Sequence, residues 1–189
     1  MSHVSHVATA TIKELFERVA SDLSMLSDKT IEVCDIAYEE REDRPVGEGE
    51  VHISYRFGVE DVDSQLHHGA MLIPLKPSIA LAAYLMMAPD KTVQELVEKG
   101  EVDGPVKEAM LEVGTFVAGA GDAALRAVGA TCARVVFEGC QGVRADVRPK
   151  LDYQEGAPLS VGRASVSVAG GEPVEMILMI PRENYLVAA

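Results

Sequence analysis

Apolar residues recur at helical spacing through two long stretches of the chain, and this pattern predicts two amphipathic helices. The first is predicted over residues 11–28, with apolar positions at Ile12, Leu15, Phe16, Val19, Leu23 and Leu26. The second is predicted from Asp103 to Gly129, with apolar positions at Val106, Met110, Val113, Val117, Ala120, Ala124 and Val128. Asp103 is a suitable N-cap and Pro105 suits the first turn, so the second helix has a well-defined start. Residues 1–10 lack the pattern and are predicted to form a flexible tail.

The first half of the chain also contains segments that alternate in polarity or form short apolar runs, as strands do. Strands are predicted there at residues 30–38, 51–57 and 70–75. A change in the phase of the alternation near Val33 and Cys34 indicates a β-bulge. The charged, glycine-containing residues 39–50 are expected to form a solvated hairpin loop, and residues 58–67 a polar connection.

Two shorter helices and a second set of strands are predicted in the rest of the chain. Pro77 and Ser78 open a helix that Pro89 ends, and Thr92 with Glu95 forms a capping box for a short helix that follows. After the long helix, strands are predicted at residues 130–138, 143–149, 158–168 and 173–182. Turns that contain glycine are expected to join these strands.

Both halves of the chain therefore run from a helix into three or more antiparallel strands. The halves span about residues 11–88 and 103–183, and their similar order predicts an internal duplication. The predicted fold is α+β and two-layered, with helices packed on a long antiparallel sheet to which each half contributes a helix and three strands. Residues 11–189 are expected to form a single domain.

The acidic composition narrows the range of partners. The 189 residues carry a formal net charge of −13, which disfavours nucleic acids and anionic membranes because both attract basic surfaces. No apolar run is long enough for a membrane span, and the N-terminus lacks the charged start and apolar core of a signal peptide. Cys34, Cys132 and Cys140 are expected to be reduced thiols in the cytoplasm.

The long helix carries a polar stripe opposite its apolar one, and this stripe is the main candidate for chemistry. Glu108, Glu112 and Thr115 are spaced so that they share one helix face, which Gly119 and Asp122 continue. A carboxylate beside a hydroxyl can bind a partner's lysine and hold a water molecule; the simpler interpretation is a solvated helix face. Interior glycines each cost about 1 kcal/mol relative to alanine in a helix. Their presence therefore indicates close approach of the sheet or of a partner.

Other candidate sites have less support from their spacing. His67 and His68 follow an acidic loop and could bind a metal, but adjacent histidines point to opposite sides of a strand. Gly119 and Gly121 lie in the middle of a helix and not at a strand-to-helix turn, so they do not form a phosphate-binding loop. The sequence therefore predicts no dedicated metal site.

The segment VKEAMLEVGTFVAGAGDAAL resembles the signature helix of the CheC/CheX/FliY family of chemotaxis phosphatases, which dephosphorylate the response regulator CheY. The family motif has Asp or Ser, then Glu four residues later and Asn three residues after that, followed by a run of small residues. Glu108, Glu112 and Thr115 stand at these three positions, and residues 119–125 match the run of small residues. The order of the predicted elements is also similar to that of CheX, so the resemblance covers roughly residues 11–183.

The resemblance implies phosphoryl chemistry on a partner protein. In the family, the Glu forms a salt bridge with the active-site lysine of the regulator, and the Asn orients the water that attacks the aspartyl phosphate. Glu112 and Thr115 would take these catalytic roles here, although threonine lacks the amide that supplies both a donor and an acceptor. Glu108, Gly119 and Asp122 would contact the partner.

Three hypotheses about function remain open at this point. The protein hydrolyses the aspartyl phosphate of a CheY-like receiver domain, or it binds such a domain without catalysis as a scaffold or switch component, or it reuses the fold as an oligomeric binding domain such as a homodimer. No cofactor of its own is implied, since Mg²⁺ would belong to the receiver. The first helix has Glu17 and Ala20 where a second motif would need Glu and Asn, so one site at most is expected.

Overall fold

The computed structural model describes residues 3–61, 63–129 and 132–182, which contain four helices and six strands. The helices are α1 (His3–Ser27), α2 (Leu75–Leu85), α3 (Asp90–Lys99) and α4 (Gly104–Ala127). The strands are β1 (Ile31–Arg41), β2 (His52–Asp61), β3 (Leu66–Pro74), β4 (Cys132–Val143), β5 (Leu159–Val168) and β6 (Val174–Pro181). Among the described residues, no helix is both long enough and apolar enough to span a membrane.

All six strands form one antiparallel sheet in the order β1-β5-β6-β3-β2-β4. If β1, β2 and β3 are exchanged for β4, β5 and β6, the same order is obtained from the opposite edge of the sheet. This pseudo-twofold arrangement confirms the predicted α+β fold with two helix–three-strand halves. The halves are interleaved, because β1 pairs with β5 of the second half and β4 pairs with β2 of the first half.

The main core lies between the helices and one face of the sheet. Alternate residues of β2 and β3, such as Tyr55, Phe57 and Met71, point into it, because successive side chains of a strand point to opposite faces. The helices contribute the predicted apolar stripes, which from α1 are Ile12, Leu15, Phe16, Val19 and Leu23 and from α4 are Val106, Met110, Val113, Val117, Ala120 and Ala124. Leu26 and Val128, the last positions of the two stripes, are not fully buried.

The opposite face of the sheet is covered in part by the irregular segment 144–158. Leu151 of this segment is buried in a second apolar cluster with Leu72, Ile177 and other residues of the sheet. Arg44 holds the segment in place by donating from Nη1 to the Pro149 carbonyl oxygen at 2.8 Å. The helices therefore cover one face of the sheet and a loop covers part of the other.

The N-terminal helix is longer than its hydrophobic pattern predicts. α1 begins at His3, so the expected flexible tail over residues 1–10 is corrected from residue 3 onward; residues 1 and 2 lie outside the described residues. Ala8 is fully buried, and the Thr11 hydroxyl donates to the Val7 carbonyl oxygen at 2.9 Å. The buried side chains of Ala8 and Thr11 are small or hydroxylated, so they do not continue the pattern of large apolar residues that predicts the helix.

The strand pairings correct two connections predicted in the first half. β1 does not pair with β2, so residues 39–50 are not a hairpin loop: residues 39–41 are part of β1, and residues 42–51 connect the β1 edge of the sheet to β2. β2 and β3 extend through most of the predicted polar connection at 58–67, with Glu60 opposite Leu66. The predicted bulge in β1 is confirmed, since the register against β5 shifts between Cys34 and Ala37.

In the second half of the chain, the first strand differs from the one that the sequence pattern predicts. β4 is one strand through residues 132–143, and residues 144–149, predicted to belong to a separate strand, are not part of the sheet. Gly139 has a φ of 111° and forms a bulge opposite Arg56. This glycine, which the sequence pattern predicts to belong to a turn, therefore lies in an irregular but continuous strand. The predicted capping box is also wrong, because Thr92 lies inside α3 and Pro89 occupies its N-cap position.

Candidate functional site

Helix α4 presents the predicted polar stripe on the surface of the molecule. It starts as predicted, with Asp103 at the N-cap position and Pro105 in the first turn, although the Asp103 side chain makes no capping hydrogen bond. At about 100° per residue, the side chains from Lys107 to Glu112 that point away from the core span an arc of about 140°. We call this exposed arc the α4 face, which consists of Lys107, Glu108, Leu111, Glu112, Thr115 and Gly119.

Two carboxylates of the α4 face are available to an external cation. Glu108 and Glu112 are exposed, and within the described part of the chain neither forms an ion pair or a hydrogen bond. Helix α1 occupies the corresponding place in the first half, and there Glu17 at the motif position lies 3.7 Å from Lys13 in an ion pair. Of the two related helices, α4 is therefore the one whose motif acid has no ion-pair partner among the described residues.

The hydroxyl of Thr115 is directed partly toward its own helix. Its Oγ1 donates to the Leu111 carbonyl oxygen at 3.1 Å, a contact that threonine often makes inside helices. Thr115 is exposed, so the oxygen lone pairs can still accept a hydrogen bond from water. In this arrangement Thr115 can hold a water molecule as an acceptor but does not offer the donor that an asparagine amide would supply.

The interior glycines of α4 have different surroundings. A Cβ atom at Gly114 would overlap the ring of Phe137 on β4, so this glycine lets the helix pack closely on its own sheet. A Cβ atom at Gly121 would lie 3.6 Å from a methyl carbon of Val135, an ordinary contact. Gly119 lies on the α4 face, and apart from its own stretch of helix no atom of another described residue lies within 4 Å of its Cβ position. Of these glycines, Gly119 is therefore the one that leaves the helix backbone open to another molecule.

Asp122 is bound within the protein. Its Oδ1 accepts a hydrogen bond from the backbone N–H of Val135 at 2.9 Å, and its Oδ2 accepts one from Nε of Arg126 at 2.8 Å. Val135 belongs to β4, which is an edge strand, so this carboxylate ties α4 to the edge of the sheet. The structure gives Asp122 this internal role, and partner binding stays a prediction for Glu108, Gly119 and Asp122.

The two histidines are separately paired with carboxylates. His67 Nε2 lies 2.8 Å from Asp61 Oδ2, and His68 Nδ1 lies 2.9 Å from Glu138 Oε2. The hydrogen bond with His67 and the backbone N–H of Gln65 hold the pKa of the Asp61 carboxyl below its usual value. Within the described residues, no group of three or more His, Cys, Asp or Glu side chains could hold a metal ion.

An apolar groove with a volume of about 290 Å³ adjoins the N-terminal end of the α4 face. It lies between the end of α3, the start of α4 and strands β2 and β4, and Lys107 is the one charged residue among those that line it. Cys140 lines it as well, and burial raises the pKa of this thiol. Cys34 is exposed on β1, and the side chain of Cys132 lies outside the described part of the structure. The sequence pattern does not reveal the groove, because the residues that line it are widely separated along the chain.

The fold defines a structural class. The architecture is that of the CheC, CheX and FliY chemotaxis proteins, which confirms the fold implied by the signature helix. Neither a family model nor a curated protein sequence matches the chain.

Particular solved structures of this class show how far the likeness extends. FliY from Thermotoga maritima is 14% identical, with a TM-score of 0.65 over 97% of this chain and 89% of that one. CheX from Desulfovibrio desulfuricans is 13% identical, with a TM-score of 0.55 over 90% of this chain and 97% of that one. The FliM middle domain from H. pylori is 9% identical, with a TM-score of 0.57 over 96% of this chain and 94% of that one. At these identities the likeness is one of fold.

Proposed function

We propose that the protein binds the receiver domain of a response regulator through the α4 face, with Glu112 pairing with a lysine in the receiver's active site. The observation that carries this proposal is the exposed carboxylate of Glu112, which has no partner within the part of the chain that the structure describes, on a face that Gly119 leaves open. The fold shared with CheX and FliY supports the choice of partner class. A role in chemotaxis or related two-component signalling follows from that choice.

The physical basis of the docking is a change in the surroundings of Glu112. An exposed ion pair contributes between about 0.2 and 1 kcal/mol, because water competes for both charges. When the partner covers the α4 face, water is excluded and a well-oriented carboxylate–ammonium contact becomes stronger. Gly119 assists because no side chain there keeps the partner away from the helix. Glu108, one turn before Glu112, provides a second carboxylate for a cation near the same contact.

Hydrolysis of the receiver's aspartyl phosphate is a second candidate, and the exposed hydroxyl of Thr115 favours it. A water molecule that donates a hydrogen bond to Thr115 Oγ1 would be held near the phosphoryl group. This water attacks the phosphorus atom while the bond between phosphorus and the aspartate oxygen breaks. Since the Thr115 proton is engaged by the Leu111 carbonyl, the water has one protein contact fewer than an amide would supply. We therefore expect hydrolysis to be slow, with any Mg²⁺ supplied by the receiver.

Binding without catalysis is the alternative, and a relative seen in a protein complex supports the choice of a protein partner. One structural relative is the FliM of H. pylori in a FliG–FliM complex, a protein assembly. A non-catalytic protein would keep the Glu112 contact and show no change in phosphate lifetime. A homodimer that covers the α4 face would exclude both functions, and light scattering together with receiver titration would reveal it.

Titration of the full chain against phosphorylated receiver domains tests the binding proposal. We expect saturable binding that Glu112→Gln weakens by about tenfold, equivalent to about 1.4 kcal/mol. Glu98→Gln is the matched control, because Glu98 is also an exposed glutamate with no ion pair among the described residues, but it lies on α3. The proposal fails if no receiver binds, or if the two variants bind equally well.

The lifetime of the receiver phosphate separates the two candidates. At saturating protein, a shortened lifetime supports hydrolysis, and Thr115→Asn should shorten it further because the amide adds a donor. An unchanged lifetime with intact binding removes hydrolysis and leaves the non-catalytic function. Thr115→Val is a suitable comparison, since it keeps the shape of the side chain without the oxygen.

A further inference from the structure

The groove beside the start of α4 brings exposed apolar surface next to the α4 face. Val51 and Val102 line the groove and are 40% and 39% exposed. Leu111 lies one turn after Lys107 on the α4 face and is 38% exposed. Apolar side chains that remain exposed together, with polar residues around them, are typical of sites where another protein binds.

The charges around this surface are arranged asymmetrically. Lys107 lines the groove and forms no ion pair within the described residues, so its ammonium group is available to an anion. Glu112 lies about 140° further around the helix, on the opposite side of the α4 face. The chain as a whole has a net charge of −13, so the positive charge of Lys107 beside the groove differs in sign from most of the surface. This local positive charge favours an acidic group of the partner at that position.

We infer that the groove receives an apolar side chain of the docked receiver domain, and that a carboxylate next to that side chain pairs with Lys107. The inference rests on the proposed function and extends it to a second contact, separate from Glu112. An anion at Lys107 and a cation at Glu112 fix the orientation of the partner on the α4 face, because the reversed orientation places like charges together. The apolar side chain in the groove then supplies the buried centre of the interface.

Two variants and a control test this second contact in the full chain. Val102→Asp introduces a negative charge at the exposed rim of the groove, and Lys107→Glu reverses the charge that would meet the partner's carboxylate. Met87→Asp is the control, because Met87 is 84% exposed and does not line the groove. We expect each groove variant to weaken binding of the phosphorylated receiver by about tenfold or more, and the control by less than about twofold.

Alkylation by iodoacetamide, followed by mass spectrometry of the peptides, supplies an independent readout. Cys140 lines the groove and should react more slowly when the receiver is bound, whereas the exposed Cys34 on β1 should react at an unchanged rate. A second probe, the anionic aromatic dye 8-anilinonaphthalene-1-sulfonate, combines an apolar body with a negative charge. Its fluorescence should rise on binding the wild-type protein, fall on addition of the receiver, and be lower with Val102→Asp.

The outcomes distinguish this inference from the proposed function. If Glu112→Gln weakens receiver binding but Val102→Asp and Lys107→Glu do not, the groove contact is overturned and docking through α4 stands. If the receiver binds but Cys140 is not protected, the groove contact is likewise overturned. If no receiver binds, the proposed function fails and the inference fails with it, whatever the dye shows.

Discussion

A single methyl group should raise stability when it is added at Gly119 but not when it is added at Gly114. Both residues are interior positions of α4 with helical backbone conformation, so replacement by alanine gives the same gain in helix propensity, about 1 kcal/mol. The surroundings of the added Cβ differ. At Gly119 it meets nothing within 4 Å, whereas at Gly114 it would overlap the ring of Phe137.

The expected magnitudes follow from these surroundings. Gly119→Ala should raise the free energy of unfolding by about 1 kcal/mol, which for a chain of this length corresponds to an increase in Tm of about 2–4 °C. Overpacking at Gly114 should cost between about 1 and 3 kcal/mol, since Phe137 must move away from the helix. Gly114→Ala should therefore range from neutral to about 2 kcal/mol less stable than the wild type. The difference between the two variants reports the packing term alone, because the propensity term is common to both.

Urea unfolding at constant pH and temperature, followed by circular dichroism, measures these differences. Phe137→Leu combined with Gly114→Ala is the matched control; relief of the overlap should make the double variant more stable than the sum of the single effects. Equal shifts for Gly114→Ala and Gly119→Ala would refute the reasoning, because they would mean that α4 does not pack on β4 through Gly114. Gly119→Gln extends the test to function: it should fold normally but bind the receiver more weakly.

Two further predictions concern contacts outside the proposed interface. Asp122→Ala should lower the free energy of unfolding by about 1–2 kcal/mol, because the Val135 N–H loses an ionised acceptor in a partly exposed site. Asp122→Asn should lower it less, because the amide oxygen can still accept that hydrogen bond. Equal losses for the two variants in urea unfolding would contradict this contact. The folded pKa of Asp61 lies below the unfolded value, so its carboxylate stabilises the native state above about pH 3.9, and this contribution is lost as the pH falls through the folded pKa. Unfolding curves measured between neutral and acidic pH should therefore be less pH-dependent for Asp61→Asn than for the wild type.

The sequence alone located the α4 face but not all that surrounds it. Spacing placed Glu108, Glu112 and Thr115 together on a helix, because the helical period is fixed by backbone geometry and independent of the rest of the fold. Spacing could not show that Asp122 bonds to β4, since this contact joins residues brought together only when the helix packs on the sheet. For the same reason it could not reveal the groove at Lys107.

Local pattern and tertiary structure thus determined different features of this protein. The sequence by itself predicted the helices α1 and α4, the apolar stripes that build the core, and the repeated order of a helix followed by antiparallel strands. Alternation of polarity within a strand identifies its buried face but not its neighbour, because any strand with a matching face can pair with it. Only the tertiary structure decided that β1 pairs with β5 and β4 with β2, so that each half of the chain completes the sheet of the other.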